Sequence, residues 1–328
     1  MELKEKISNF PLSPGIYMMK DREDNIIYIG KSKKLKDRVR SYFAESANHS
    51  RKIQRMVKNV SNIEIITTDT ELDALILECS LIQEIKPMYN TLMKKFENYK
   101  YIKINENKDF PIIEVVDDID DSSIYFGPYT MDRKLEEIKN ILTEVYKLPS
   151  CKKHTKCINY DLGKCIGPCR GAISIDEYKV IIDTIISTLK GENKEILDLL
   201  DIKIANEVKE LNFEKAQVIQ SNKELIQSML KKQQIIDTAQ KEEIILVWTN
   251  INESKYKLYL IKGGCILSSK ILNVDTFEQL SVKGLVFEMY KGIRVKNSKN
   301  EITKYNIDTI NIIHSYIKNS ESINYLIM

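Results

Sequence analysis

The chain has 328 residues, 43% hydrophobic and 30% charged, with a formal net charge of +3. That is too long for one compact core of average size, so two or three domains are expected. No run of eighteen apolar residues occurs, and the start, Met1-Glu2-Leu3-Lys4-Glu5, has no apolar signal core, so the composition argues against a membrane span and against export and predicts a cytoplasmic protein.

The first predicted element is a hairpin, Gly15-Ile16-Tyr17 and Tyr28-Ile29-Gly30 flanking turn material at Asp21-Arg22-Glu23-Asp24-Asn25. Pairing Lys20 with Asn25 sets Tyr17 opposite Tyr28 and turns Ile16, Met18, Ile27 and Ile29 toward a core. A helix from 33 to 43 follows, with Leu35, Val39 and Tyr42 on its apolar stripe. Arg38 lies on the border of that stripe, where a guanidinium can be held as a fixed fork for a phosphate. Between Lys31 and Lys58 ten Lys and Arg face only Asp37 and Glu45. This excess suits a DNA backbone, with Lys33, Lys34, Arg40, Arg51 and Lys52 as candidate contacts, or else a solvated helix face.

Residues 63–67 read as a third strand. Thr68 and Glu71 have capping-box spacing for a helix that Pro87 ends. Within it Glu78 has Ala74, Leu75, Leu81, Ile82 and Ile85 as helical neighbours. A carboxylate so surrounded must be neutralised, paired with a lysine, or bound to a cation.

These residues resemble the GIY-YIG nuclease family. Tyr28-Ile29-Gly30-Lys31-Ser32 through Leu35, Arg38, Val39, Ser41, Tyr42 and Phe43 looks most like the amino-terminal nuclease of UvrC-type excinucleases, and Pro87-Met88-Tyr89-Asn90 matches the family's Pro-x-Tyr-Asn. The resemblance implies an α+β GIY-YIG domain, a small antiparallel sheet with flanking helices, over 1–100. Glu78 would be the single ligand of Mg²⁺ or Mn²⁺. Tyr28 or Tyr17 would be the base that activates water, Tyr28 being preferred because Lys31 lies near it to lower the phenol's pKa. Arg38 would stabilise the phosphate, and Tyr42 and Asn90 would complete the hydrogen bonding. The pattern departs at Lys95-Phe96-Glu97-Asn98-Tyr99-Lys100, where relatives carry an acidic stretch.

A strand and helix extension is predicted over 101–150, ending in a helix from Asp132 to Tyr146. Cys151, Cys157, Cys165 and Cys169 form a cysteine-rich module over 151–172, and four cysteines within nineteen residues of a cytosolic chain read as ligands rather than disulfides. Their loose spacing lacks zinc's short knuckles, and similar UvrC cysteines imply a 4Fe–4S cluster, with zinc as the runner-up. A linking helix spans 173–193. Two antiparallel helices over 194–235 resemble the UVR motif, with Phe213, Glu214 and Ala216 implied in binding UvrB. Residues 243–328 form a small α+β domain of strands around a Gly263-Gly264 turn, followed by helices. Leu260-Ile261-Lys262-Gly263-Gly264 resembles the start of the carboxy-terminal half of UvrC, whose second, ribonuclease H-like nuclease is not reached. Taken together, the resemblance implies a metal-dependent endonuclease of nucleotide excision repair that nicks damaged double-stranded DNA presented by UvrB. The alternatives are a catalytically inactive UvrB-binding adaptor and a UvrB-independent structure-specific nuclease.

Overall fold

The computed structural model describes residues 3–44, 49–130, 132–150, 158–241, 243–291, 301–319 and 323–327. The chain divides into two compact units, one built from 1–96 with 239–328 and the other from 97–238.

The first unit begins with α1 (Leu3–Ser8), β1 (Gly15–Lys20), β2 (Ile26–Ser32), α2 (Leu35–Tyr42), α3 (Arg51–Asn59), β3 (Asn62–Thr67) and α4 (Glu71–Ile85). The strands form an antiparallel sheet of order β2-β1-β3. All six residues of the central β1 are buried, so alternate side chains feed two cores. Tyr17 and Met19 pack with Leu35, Val39, Tyr42 and Met56 on one side. Ile16, Met18 and Ile29 pack with Ala74 and Ile82 of α4 on the other.

The hairpin register differs from the predicted one. Tyr17 pairs with Gly30, and Tyr28 with Met19, with an irregularity at Met19/Lys20. The turn causes the shift: Asp21 N–H donates to the Asn25 carbonyl at 3.0 Å, and Asp24 takes a left-handed φ of 64°. A two-residue slip preserves facing, so both tyrosines still share a side. Ile27, however, joins the tyrosine side, and Ile26 packs with Met18 in its stead.

The helix start also differs. Thr70, not Thr68, caps α4: its side chain accepts the Asp73 N–H and Asp73 answers to the Thr70 backbone. Glu71 is thereby released from capping. At the other end Lys86 closes the helix in a left-handed conformation just before Pro87.

The second unit holds β4 (Lys100–Ile104), β5 (Ile113–Val116) and β6 (Ile124–Tyr129) in the order β5-β4-β6, then α5 (Asp132–Val145), α6 (Ile158–Asp161), α7 (Ile175–Leu189), α8 (Glu195–Lys209) and α9 (Phe213–Gln240). Tyr129 donates to Gln233 of α9 at 2.6 Å, and Tyr178 of α7 to the Pro111 carbonyl at 2.7 Å. Each buried phenol is thus satisfied. Helices α8 and α9 are joined by the Lys223–Asp201 ion pair at 2.6 Å.

Residues 239–328 return to the first unit as β7 (Ile244–Asn252), β8 (Lys255–Lys262), β9 (Cys265–Asn273), α10 (Val274–Gln279), α11 (Val282–Tyr290), α12 (Ile307–Asn319) and β10 (Ile323–Ile327), with sheet order β10-β7-β8-β9. Gly263 and Gly264, at φ 58° and 69°, make the β8–β9 turn. Instead of standing apart, this sheet grips the start of α4. Leu72 is buried among Val247, Tyr259, Ile261 and Ile313. The Thr70 and Tyr259 hydroxyls are hydrogen-bonded, and Lys257 pairs with Asp69 at 2.6 Å.

Candidate active site

Three tyrosines meet on the side of the sheet covered by α2. Their ring centroids lie 6.1 Å (Tyr17–Tyr28), 5.9 Å (Tyr17–Tyr42) and 6.3 Å (Tyr28–Tyr42) apart. The Tyr17 and Tyr42 hydroxyls are 2.9 Å apart and hydrogen-bonded. Arg38, one turn before Tyr42, donates to the Tyr42 hydroxyl at 3.0 Å and lies over its ring at 4.9 Å. Its guanidinium is held in one pose and keeps donors for an anion.

Tyr17 reaches this cluster because Gly30 lacks a side chain. A Cβ there would lie 2.5 Å from the Tyr17 Cζ. Gly15 makes a comparable approach, 2.8 Å from the Leu35 side chain. Both motif glycines therefore serve close packing.

Glu78 enters from α4. Its Oε1 accepts the Lys31 backbone N–H at 3.0 Å. Burial raises its carboxyl above the usual range, against the opposing pull of that N–H and of Lys31 and Arg38. Among the described residues no ammonium is paired with it, which leaves its second oxygen for a cation. Among the described residues no cluster of three or more His, Cys, Asp or Glu occurs. A lone carboxylate completed by water and phosphate suits Mg²⁺, which keeps much of its hydration.

The Lys31 side chain is not where the sequence reading put it. Its ammonium meets Glu71 at 2.5 Å, and Lys33 meets the other Glu71 oxygen at 3.0 Å. Burial works against ionisation of Glu71, but hydrogen bonds from the two lysines hold its carboxyl below the usual range. The cation that pulls the Tyr28 phenol down is Arg38. Burial, then Tyr42 and Glu78, outweigh it and hold Tyr28 above its ordinary value. Tyr17 is raised further, by burial and then by its two neighbouring phenols. Only Tyr28 of these two lines the adjoining cavity of about 370 Å³, together with Arg38, Tyr42, Lys52, Glu78 and Asn90.

Asn90 is hydrogen-bonded to the backbone of β2. Its Oδ1 accepts the Ile29 N–H at 3.0 Å and its Nδ2 donates to the Ile29 carbonyl at 2.9 Å. It thereby pins β2 between Tyr28 and Gly30 while also lining the cavity.

Residues 13–91 match the family described as UvrC-like GIY-YIG domain. This segment is a GIY-YIG domain of the UvrC type. Residues 99–188 match the UvrC/Cho excinuclease middle domain. The chain is 36% identical over 278 residues to UvrABC system protein C of Clostridioides difficile, covering 81% of this chain and 46% of that protein. It is 37% identical over 284 residues to the Clostridium acetobutylicum protein, with 84% and 46% covered. The chain thus spans about half the length of these relatives. Among solved structures, the GIY-YIG N-terminal endonuclease domain of UvrC from Thermotoga maritima, bound to its catalytic divalent cation magnesium, is 35% identical. It covers 28% of this chain and 100% of its own, with a TM-score of 0.25.

The basic residues around the GIY-YIG site separate into groups. Lys52 lines the cavity beside Tyr28 and Glu78, together with the Ser50 that caps α3. Arg40, on the opposite side of α2 from Arg38, lines another cleft with Lys4 and Lys36. Lys34 and Arg51 are exposed, and Lys33 is tied to Glu71. Two residues near the site went unsingled in the sequence. His49 stacks on Tyr42 at 5.8 Å, with its Nε2 buried and without a hydrogen-bond partner among the described residues. Glu71 sits seven residues before Glu78, a spacing that puts both on one face of α4 and could have identified it.

Away from the GIY-YIG domain, Cys151 and Cys157 lie outside the described residues. Cys165 is buried and Cys169 half-buried beside the turn Pro168–Arg170, and the Cys165 sulfur accepts the Gly167 N–H at 3.4 Å. At the α8–α9 turn Leu211 and Phe213 are 72% and 61% exposed, and Glu214 is exposed. Ala216 is buried, so it packs the hairpin rather than presenting a surface.

Proposed function

We propose that this chain is a metal-dependent DNA endonuclease of nucleotide excision repair that makes one incision in damaged duplex DNA presented by UvrB. The observation that carries this reading is the convergence of Tyr28, Arg38, Tyr42 and Glu78 on one cavity, with no partner for the Glu78 Oε2 among the described residues. Glu78 would hold a divalent cation, which would supply Lewis-acid chemistry there when bound. Arg38, fixed by Tyr42, binds the nonbridging oxygens and stabilises charge that grows in the transition state. Tyr28 faces the cavity and orients the attacking water. Tyr17, buried behind it, holds Tyr42 in register.

The exposed Leu211 and Phe213 at the helical hairpin's turn support docking on UvrB, because the hairpin's own core leaves these apolar groups unused. The N–H···S bond at Cys165 supports thiolate ligation, since such donors stabilise sulfur charge. Together with Cys151, Cys157 and Cys169 we assign it to a 4Fe–4S cluster, testable by iron analysis and visible absorption of anaerobically purified protein.

The decisive assay incubates the chain with lesion-bearing plasmid and Mg²⁺, with and without UvrB, beside Glu78→Ala. Nicking that requires UvrB and is lost in the variant is expected. No nicking with any divalent metal leaves the adaptor reading, and nicking of undamaged DNA without UvrB leaves the structure-specific one.

A further inference from the structure

We propose that Glu71 is a positioning residue of the catalytic site, holding Lys31 and Lys33 on α4 and withholding both from DNA until a phosphate displaces it. Lys31 joins two carboxylates of one helix: its backbone N–H serves Glu78 Oε1 and its ammonium serves Glu71 Oε1. Glu71 and Glu78 are two helical turns apart, roughly 10 Å along the axis, a span that the Lys31 residue bridges from backbone to side-chain tip. Fixing the tip therefore steadies the N–H that orients Glu78.

The same carboxylate takes Lys33 on its second oxygen at 3.0 Å. Glu71 is only 16% exposed, whereas Lys33 is 72% exposed. The pair opens on a cleft of about 730 Å³ walled by Asn311, Ile312 and Tyr316 of α12. Lys33 can thus swing outward while Glu71 stays. One anion neutralising two cations at the edge of a phosphate site lowers DNA affinity and spends it on alignment. Removing the charge should accordingly tighten binding while slowing turnover, a pair of effects that loss of a merely structural ion pair does not produce.

The inference rests on the nuclease reading above, and the test separates the two. The wild-type chain, Glu71→Gln, and Glu71→Gln combined with Lys33→Met are titrated into a fluorescein-labelled DNA duplex without divalent cation, across a salt series. Nicking is then measured with UvrB and Mg²⁺, and a thermal melt confirms folding. Glu71→Gln is expected to bind roughly three- to tenfold tighter at low salt. Its slope of log Kd against log salt should steepen by about one to two, near 0.9 per freed cation. Turnover at saturating DNA should fall about tenfold, so that KM and kcat drop together. Adding Lys33→Met should return about one unit of slope. An unchanged affinity and slope in a folded Glu71→Gln protein, or weaker binding, overturns the role of Glu71 while leaving the nuclease reading intact. A wild-type protein that neither binds nor nicks DNA overturns both.

Discussion

Replacing Gly30 with alanine tests the geometry on which the tyrosine cluster depends. The added Cβ would stand 2.5 Å from the Tyr17 Cζ, where ordinary contact begins at 3.4 Å, so the ring must retreat by about 0.9 Å. Tyr17 is 1% exposed and packed by Tyr28, Tyr42 and Leu35, and has nowhere to go without displacing them. Overpacking of this kind costs about 1–3 kcal/mol. Stretching the buried Tyr17–Tyr42 bond costs about 1 kcal/mol more, and the stiffer unfolded chain returns about 0.4–1 kcal/mol. A net loss of about 1–3 kcal/mol in urea unfolding is expected. Incision should fall more sharply, about 100-fold, because Tyr42 positions Arg38 and a misplacement near 1 Å has that cost. In a Tyr17→Leu background the stability penalty of Gly30→Ala should shrink, giving a coupling of about 1 kcal/mol or more in the double-mutant cycle. A Gly30→Ala protein with wild-type stability and incision would refute the close-approach argument.

Other outcomes follow from the same site. The Glu78 carboxyl is raised in the folded state, so without metal the stability it confers is full below its unfolded value and declines as pH rises through the folded one. Glu78→Gln should flatten that decline above the usual carboxylate range, and Mg²⁺ should raise the melting temperature of wild type but not of the variant. Asn90→Ala leaves the Ile29 N–H and carbonyl unpaired and should cost about 2–5 kcal/mol in urea unfolding, with incision lost and DNA affinity in anisotropy little changed. Leu72→Ala should destabilise the first unit by about 2–5 kcal/mol, seen as earlier proteolysis of residues 239–328 along with the nuclease segment. Lys52→Ala should weaken DNA binding and reduce the salt slope by about 0.9.

Glu78 was legible because its five helical neighbours are all apolar, a pattern that requires a partner wherever the helix packs. The shared face of Tyr17 and Tyr28 was legible too, since a two-residue slip conserves facing. The pairing itself was not, because the left-handed Asp24 and the irregularity beside Lys20 add residues to the turn that composition does not count. Two threonines at 68 and 70 each offer a cap, and choosing the wrong one hid the role of Glu71. The Lys31 ammonium was placed by sequence proximity to Tyr28, yet a side chain follows the nearest buried carboxylate, and that one comes from another element. The grip of Tyr259 on Thr70 joins positions 189 residues apart, and no local signal announces it.

That grip sets an order of events at the ribosome. The nascent amino-terminal segment emerges with Leu72 bare, and its cover, from Val247 to Ile313, arrives only after synthesis that takes on the order of ten seconds or more at 5–20 residues per second. Until then the helix bearing Glu78 has an unsheltered first turn, so its packing is completed only after residue 313 has been made.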